Sequence, residues 1–252
     1  MHKKPNSYEA KSFIDSKFEE LLNSNDCEYV ANNLGDFFKN LKPNISSLVF
    51  AGCIDNIIPD KDKKFYYDIL SDPIKIQQTI ELCSSYSNTM KTLSGSEFQK
   101  KVCIVLNSLF KKNCLSLKAV LTGKFKKLLN KLLKGKTESE YLKPDIDIVV
   151  YNESKVKEDS IECVISVKTT GRDRITQTLN TKKYINELGS ELPVYYVTSG
   201  WDDDLNNENS VNRNRVQTLD GTFVTSENTK EYGTIKKLSS IVDEFKKRGW
   251  GC

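Results

Sequence analysis

The residues best suited to chemistry are an aspartate and a lysine beside two neighbouring apolar segments. Asp145 follows Pro144 and precedes the run IDIVVYN, whereas Lys168 ends the run IECVISVK. An aspartate at the start of one strand and a lysine at the end of the next can meet at one scissile phosphate, where hydrolysis needs a metal ion and a nucleophilic water. Magnesium prefers carboxylate oxygen and keeps several of its waters. We therefore expect Asp145 and the Val167 carbonyl to bind Mg²⁺, and Lys168 to orient the attacking water or to stabilise the phosphorane charge.

The histidine and cysteine content argues against several other kinds of active site. The chain has one histidine, His2, at its N-terminus, where chains are usually loose. Catalysis by a Ser-His-Asp or Cys-His arrangement is therefore not expected, and a histidine-rich zinc site is excluded. The seven cysteines include no CxxC pair, so the usual spacing of a four-cysteine zinc site is absent as well. The chemistry must come from carboxylates, lysines and oxygen-bound metal ions.

Length and composition predict a folded intracellular protein. The 252 residues can form one large domain, or a catalytic domain with a smaller appendage. A hydrophobic content of 38% supports a core, and a net charge of +4 permits a nucleic-acid partner without requiring one. The odd number of cysteines, the lack of a signal-peptide pattern and the lack of a membrane-spanning apolar run predict a cytoplasmic protein with free thiols.

The first part of the chain is predicted to be helical. From residue 8 to residue 90, apolar residues recur at three- and four-residue spacing, and loops such as LKPNISS at 41–47 are predicted to separate the helices. A further amphipathic helix is predicted from residue 93, with Ser94 or Ser96 as its N-cap. The predicted buried stripe of this helix is Phe98, Val102, Val105, Leu106 and Leu109.

The second part of the chain carries the β signals. The β-branched runs IDIVVYN and IECVISVKTT, joined by the polar turn ESKVKEDS, predict a β-hairpin. A helix is predicted at 175–188, then a strand in LPVYYVTSG, a polar loop in DDDLNNENSVNRNR, a strand in RVQTLDGTFVTS and a closing helix in TIKKLSSIVDEFKKRG. The order α-β-β-α-β-β-α predicts a mixed α/β domain at 91–252, preceded by a helical domain at 1–90.

Two motifs in the second part resemble a known nuclease family. Pro144-Asp145 and Ser166-Val167-Lys168 are similar to the core motif of PD-(D/E)XK nucleases, and the string KTTGRDRITQ that begins at Lys168 resembles restriction endonucleases of CCGG, CCNGG or CCWGG sites. The resemblance covers roughly residues 93–200. It implies a restriction-endonuclease-like core, with a mixed central sheet flanked by helices, and Mg²⁺-dependent cleavage of double-stranded DNA.

The residues after the catalytic lysine are expected to recognise DNA bases. In the family, a short Arg/Asp/Arg segment at the start of the next helix reads cytosine–guanine pairs, and here the corresponding residues are Arg172, Asp173 and Arg174, followed by Gln177. Arginine can donate two hydrogen bonds to guanine O6 and N7, and a carboxylate can accept from cytosine N4. The segment is therefore expected to read CC/GG as one unit beside the cleavage centre.

The upstream helix carries a further candidate for the catalytic site. Members of the fold usually have an acidic residue on the first core helix, in a G-xx-(F/L)-E pattern. The string Gly95-Ser96-Glu97-Phe98-Gln99 corresponds to it, with glutamine at the acidic position and Glu97 as the nearest carboxylate. Glu97 or Gln99 is expected to contact the water shell of the metal, and we take Glu97 as the catalytic candidate.

The second metal-binding carboxylate is left open by the sequence. The acidic position two residues before the lysine is Ser166, and relatives with serine there hold the glutamate on the following helix, at the position of Thr181. Glu97, Asp147 or Glu187 could substitute, the alignment to the family could slip locally, or the enzyme could be inactive.

The family resemblance also implies partners. Cutting both strands of a palindrome requires two active sites, so a homodimer is expected, and a host would need a methyltransferase to protect its own sites. Two other functions stay open. One is a sequence-specific DNA-binding protein with a degenerate active site, and the other is a non-specific repair or mobile-element nuclease of the same fold.

Overall fold

The computed structural model describes residues 8–57, 73–124, 145–155, 160–169, 174–200 and 205–250. The chain forms two compact units. Met1–Ser24 and Phe38–Glu97 make up the first, and Asn25–Phe37 and Phe98–Cys252 make up the second. The domain boundary predicted between residues 90 and 91 stays a prediction.

The described residues of the N-terminal part form three helices. They are α1 (Tyr8–Ser24), α2 (Cys27–Ile57) and α3 (Pro73–Lys112). The predicted loop at 41–47 is wrong, because α2 continues through Pro43. Phe38, Ile45 and Val49 are buried at helical spacing on both sides of the proline, and this packing outweighs the hydrogen bond that the proline removes. No helix in the described ranges is long and apolar enough to cross a membrane.

Helix α3 is longer than the sequence predicts. The predicted helix start at residue 93 is wrong, because α3 runs without interruption from Pro73, and neither Ser94 nor Ser96 is an N-cap. The Ser96 hydroxyl instead donates to the Leu93 carbonyl three residues earlier, at 3.4 Å. The predicted stripe is confirmed, since all five of its residues are fully buried.

A six-stranded sheet forms the centre of the second unit, in the order β1-β2-β3-β4-β5-β6. Strands β1, β2 and β3 are antiparallel, and β3, β4, β5 and β6 are parallel. The fold class predicted for this part, a mixed central sheet flanked by helices, is confirmed. The strands are β1 (Leu117–Leu121), β2 (Ile148–Asn152), β3 (Ile161–Lys168), β4 (Val194–Thr198), β5 (Gly221–Val224) and β6 (Ile235–Lys237).

Helices cover both faces of the sheet. On one face lies α4 (Arg174–Glu187), whose Ile185 packs with Val164 and Val194, and the short helix α5 (Val211–Val216) follows β4. On the other face, the Phe245 ring of α6 (Ile241–Lys247) lies 5.5 Å from the Tyr195 ring of β4 and 5.8 Å from the Phe110 ring of α3. The predicted hairpin, the helix at 175–188 and the strand in LPVYYVTSG are therefore present.

Two strands and one helix differ from the sequence prediction. Strand β1 lies in a lysine-rich segment that gave no clear strand signal, and α5 lies in the predicted polar loop. Strand β6 takes the beginning of the predicted closing helix, because Ile235 pairs with Thr222 of β5 and is fully buried. In each case sheet pairing or burial decides the local structure against the weak local pattern.

The first part of α2 belongs to the second unit and docks at the carboxyl ends of β4 and β5. The Gly35 N–H donates to the Thr225 carbonyl at 2.8 Å, and the Ser226 hydroxyl contacts both oxygens of the Asp36 carboxylate at 3.1 and 2.9 Å. Val30, Ala31 and Leu34 of the same segment are fully buried. This segment therefore supports the sheet edge at which Lys168 ends β3.

The described cysteines agree with the prediction of free thiols. Cys27, Cys83, Cys103, Cys114 and Cys163 are not in disulfides. Cys163 is buried in β3, and burial raises the pKa of its thiol well above the usual range. That thiol is therefore an unreactive core group.

Candidate active site

The structure brings Asp145 and Lys168 together. Antiparallel pairing of Ile148 with Ile165 sets the start of β2 beside the end of β3. The Lys168 Nζ lies 2.9 Å from the Asp145 Oδ1. The lysine side chain is 7% exposed and that of Asp145 is 27% exposed, so the aspartate is the more accessible partner.

A second carboxylate, that of Asp147, completes this cluster. Its Oδ2 accepts hydrogen bonds from the Lys168 Nζ at 2.7 Å and from the Val167 N–H at 2.8 Å. Its Oδ1 accepts from the Gln99 Nε2 of α3 at 2.7 Å. The sequence left Glu97, Asp147 and Glu187 open as the second carboxylate. Of these three, Asp147 is the one whose contact with Lys168 is described.

Burial determines the electrostatics of Asp147. It raises the pKa of this carboxyl above its ordinary value, and the Lys168 ammonium and the Val167 N–H offset only part of the effect. In this cluster two carboxylates share one ammonium. Such a cluster favours the approach of a cation.

Two hydroxyl groups also contact Asp145. The Asp145 N–H donates to the Thr181 Oγ1 of α4 at 2.9 Å, and the Ser166 Oγ lies 3.4 Å from the Asp145 Oδ2, a long and weak hydrogen bond. Thr181 is the position at which the nuclease resemblance expects a glutamate. Helix α4 therefore has the expected register, but a hydroxyl occupies the place of the acid.

Glu187 and Glu97 are not among the described contacts of this cluster. Glu187 lies six residues beyond Thr181, about 9 Å along α4, and pairs with Lys183 at 3.7 Å. Glu97 is buried, but positions 97 and 99 are about 200° apart around a helix, and Gln99 is the residue that reaches Asp147. The catalytic role of Glu97 stays a prediction.

The donors around Asp145 fit a magnesium ion. The N–H and C=O of one strand residue point to the same side, so the Val167 carbonyl is directed to the side on which its N–H meets Asp147. Among the described residues, no group of three His, Cys, Asp or Glu side chains could hold a metal. Magnesium is usually held by one or two carboxylates with water and substrate phosphate, and Asp145 with the Val167 carbonyl could supply the protein share.

The predicted recognition residues are described only in part. Arg172 and Asp173 lie outside the described residues. Arg174 is the first residue of α4, six positions after Lys168, and Gln177 is exposed one turn further along this helix. The segment predicted to read bases thus leads directly from the lysine into the helix that contacts Asp145.

The spacing of the two aspartates is a sequence signal for this cluster. Residues two apart in an extended segment point to the same side, so Asp145 and Asp147 were both candidates for contact with Lys168. The partner of Asp147 could not be read locally, because Gln99 lies 48 positions earlier in the chain.

Comparison with known proteins assigns much of this region to a family. The family model described as "BsaWI restriction endonuclease type 2" matches residues 124–249, which is half of the chain and includes Asp145, Asp147, Lys168 and α4. No curated protein matches the chain.

Two solved structures are similar over most of the chain. The pre-specific restriction endonuclease BsaWI-DNA complex has 16% sequence identity and a TM-score of 0.47, covering 89% of this chain and 92% of that chain. The specific restriction endonuclease AgeI-DNA complex has 13% identity and a TM-score of 0.44, covering 97% and 93%.

Proposed function

This chain belongs to the BsaWI family of type 2 restriction endonucleases, and on that premise we propose that it cleaves double-stranded DNA, with Mg²⁺, at a short site containing CC/GG. The observation that carries the proposal is the contact between the Lys168 Nζ and the Asp145 Oδ1 at 2.9 Å. It joins the two motif residues at a sheet edge, within the residues that match the family.

The proposed chemistry is hydrolysis of a phosphodiester. Asp145 and the Val167 carbonyl would hold Mg²⁺, which when bound supplies charge neutralisation at the phosphate and a more acidic water. Lys168 donates hydrogen bonds from its ammonium to the attacking water or to a phosphate oxygen, and it stabilises the negative charge of the phosphorane. Thr181 keeps the Asp145 main chain in place by accepting its N–H at 2.9 Å.

Recognition is proposed to depend on the segment that follows Lys168. Arg172 and Arg174 would each donate two hydrogen bonds to a guanine, and Asp173 would accept from cytosine amines. Gln177, exposed one turn into α4, would contact the same site. A homodimer would present two such sites to a palindrome, and a methyltransferase would protect the sites of the host.

Digestion of a fully sequenced plasmid, with and without Mg²⁺, tests the function. We expect discrete ends that share a CC/GG core and that appear only with the metal. Random ends would support a non-specific nuclease instead. Specific retention of DNA without cleavage at any metal would support a degenerate binding protein, an alternative that the hydroxyl groups at Ser166 and Thr181 favour.

Replacing Arg174 tests the recognition segment. We expect Arg174→Ala to weaken binding to the cleavage site by about 1–3 kcal/mol, the usual cost of one bidentate base contact, with little change on unrelated DNA. Competition binding of labelled duplexes measures both affinities. Arg215→Ala removes an exposed arginine of α5 and is the matched control. Equal weakening on every duplex would assign Arg174 to the phosphate backbone.

A further inference from the structure

We propose that Asp147 and Gln99 are positioning residues that hold the Lys168 ammonium and the Val167 peptide in place, while Asp145 is left for the metal. The proposal rests on the nuclease function proposed above and deepens it. It assigns different roles to two aspartates that lie two residues apart and contact the same lysine.

The hydrogen bonds of the two carboxylates differ. Asp147 accepts three N–H groups of the protein at 2.7, 2.8 and 2.7 Å, which occupy both of its oxygens. The Asp145 Oδ1 accepts a hydrogen bond from the Lys168 Nζ at 2.9 Å, and its Oδ2 accepts a long one from the Ser166 Oγ at 3.4 Å. Asp145 is also twice as exposed, at 27% against 13%. A metal therefore reaches an oxygen of Asp145 at a lower cost in lost hydrogen bonds.

Asp147 fixes two of the groups that the reaction uses. A lysine side chain has four rotatable bonds and a compact charge that needs an anchor. Contact with Asp147 holds the Lys168 Nζ even when a metal draws on Asp145. The same oxygen accepts the Val167 N–H and so sets the orientation of the peptide whose carbonyl is the second proposed metal ligand.

The glutamine at position 99 suits this arrangement. Its amide donates to the Asp147 Oδ1 at 2.7 Å. A glutamate there would bring two carboxylates within hydrogen-bond distance, and like charges that close cannot both stay ionised. Exchanging the two groups, with a carboxylate at 99 and an amide at 147, restores one donor and one acceptor. The asparagine oxygen would then accept from Lys168 and Val167, and its amide nitrogen would donate to the glutamate.

A double-mutant cycle tests this pair. We expect Gln99→Glu to lower the cleavage rate at saturating DNA by about 100-fold, and Asp147→Asn by about 10-fold, since the Gln99 amide can turn to keep its hydrogen bond to the asparagine. The double variant should cleave at least 10-fold faster than Gln99→Glu, with KM for DNA nearly unchanged throughout. Losses that multiply in the double variant would overturn the proposal.

Three further measurements separate positioning from other roles. Gln78→Glu of α3 and the exposed Asp243→Asn of α6 make the same chemical changes elsewhere and should cleave normally. Thermal unfolding should show every variant folded at the assay temperature, and a rate loss that follows the unfolded fraction would contradict positioning. Mn²⁺ binding, followed by the electron paramagnetic resonance of the free ion, should be lost in Asp145→Asn and retained in Asp147→Asn. Equal loss in both variants would make Asp147 a ligand.

The failure of the proposed function is distinguishable from the failure of this inference. If the wild-type protein cleaves no DNA, the proposed function is wrong. The contact between Gln99 and Asp147 is then tested by thermal unfolding of the wild type, the two single variants and the double variant. Recovery of stability in the double variant supports the contact between Gln99 and Asp147, and additive losses reject it. If the wild type cleaves and the cycle shows no recovery, only the inference is wrong.

Discussion

Lys168→Ala is expected to lower the rate of DNA cleavage by a factor of about 10² to 10⁴, the range that a positioned proton-transfer or charge-stabilising group contributes. Binding of the recognition site should stay largely intact, because the proposed base contacts lie in the following segment. Single-turnover cleavage and gel-shift binding on the same duplex measure the two effects separately. Normal cutting by this variant would show that the catalytic assignment is wrong.

The same variant should be less stable without metal. The Lys168 Nζ lies 2.9 Å from the Asp145 carboxylate and 2.7 Å from the Asp147 carboxylate. Removing one partner of a largely buried ion pair costs roughly 3–5 kcal/mol. Because a metal would then meet the Asp145 carboxylate with no competing ammonium, Mg²⁺ should raise the unfolding temperature of the variant more than that of the wild type. Lys183→Ala, which removes a lysine that is 77% exposed, should change neither cleavage nor stability.

Gly35→Ala is expected to destabilise the second unit by about 3 kcal/mol or more, at the upper end of the cost of overpacking. A Cβ at this position would overlap the Ser199 carbonyl oxygen, and it would lie 2.9 Å from the Thr225 Oγ1. Neither neighbour can give way easily, because Gly35 also donates its N–H to the Thr225 carbonyl. Urea unfolding, monitored by tryptophan fluorescence and circular dichroism, measures the loss.

Gly95→Ala is the matched control for this prediction. Gly95 also lies inside a helix, α3, but a Cβ there would meet no atom within 4 Å. We expect it to raise the free energy of unfolding by about 0.5–1 kcal/mol, because alanine restricts the unfolded chain and favours the helix. If Gly35→Ala behaves like Gly95→Ala, then α2 does not pack against the ends of β4 and β5 as described.

The parts of the fold that the sequence predicts well are those with a strong local pattern. The hairpin of β2 and β3 follows from two β-branched runs joined by a polar turn, and the stripe that begins at Phe98 follows from helical spacing. The errors in the predicted element boundaries come from local break and cap signals that tertiary packing overrides. The loop predicted around Pro43 and the N-cap predicted at Ser94 or Ser96 both lie inside continuous helices, and Ile235 is drawn into the sheet by its pairing with β5.

The candidate site was predictable where it depends on motif spacing, and not where it depends on distant contacts. Asp145 and Lys168 were recognisable from the ends of two adjacent strands, and they do meet. Identifying Asp147, rather than Glu187 or Glu97, as the partner of Lys168 requires knowledge of the strand register and of the position of α3. A glutamine at the usual acidic position is uninformative until its amide is seen to donate to Asp147.

The docking of α2 has a consequence for synthesis on the ribosome. The contact between Asp36 and Ser226 can form only after Ser226, 190 residues later in the chain, has been synthesised. At about 5–20 residues per second, this takes roughly 10–40 s. Until then, the apolar side chains of Val30, Ala31 and Leu34 lack the surface that buries them in the folded protein. The nascent chain therefore exposes an apolar segment that favours non-specific association. The edge that bears Lys168 is completed only after Ser226 has been synthesised, and we expect the growing chain to bind chaperones until then.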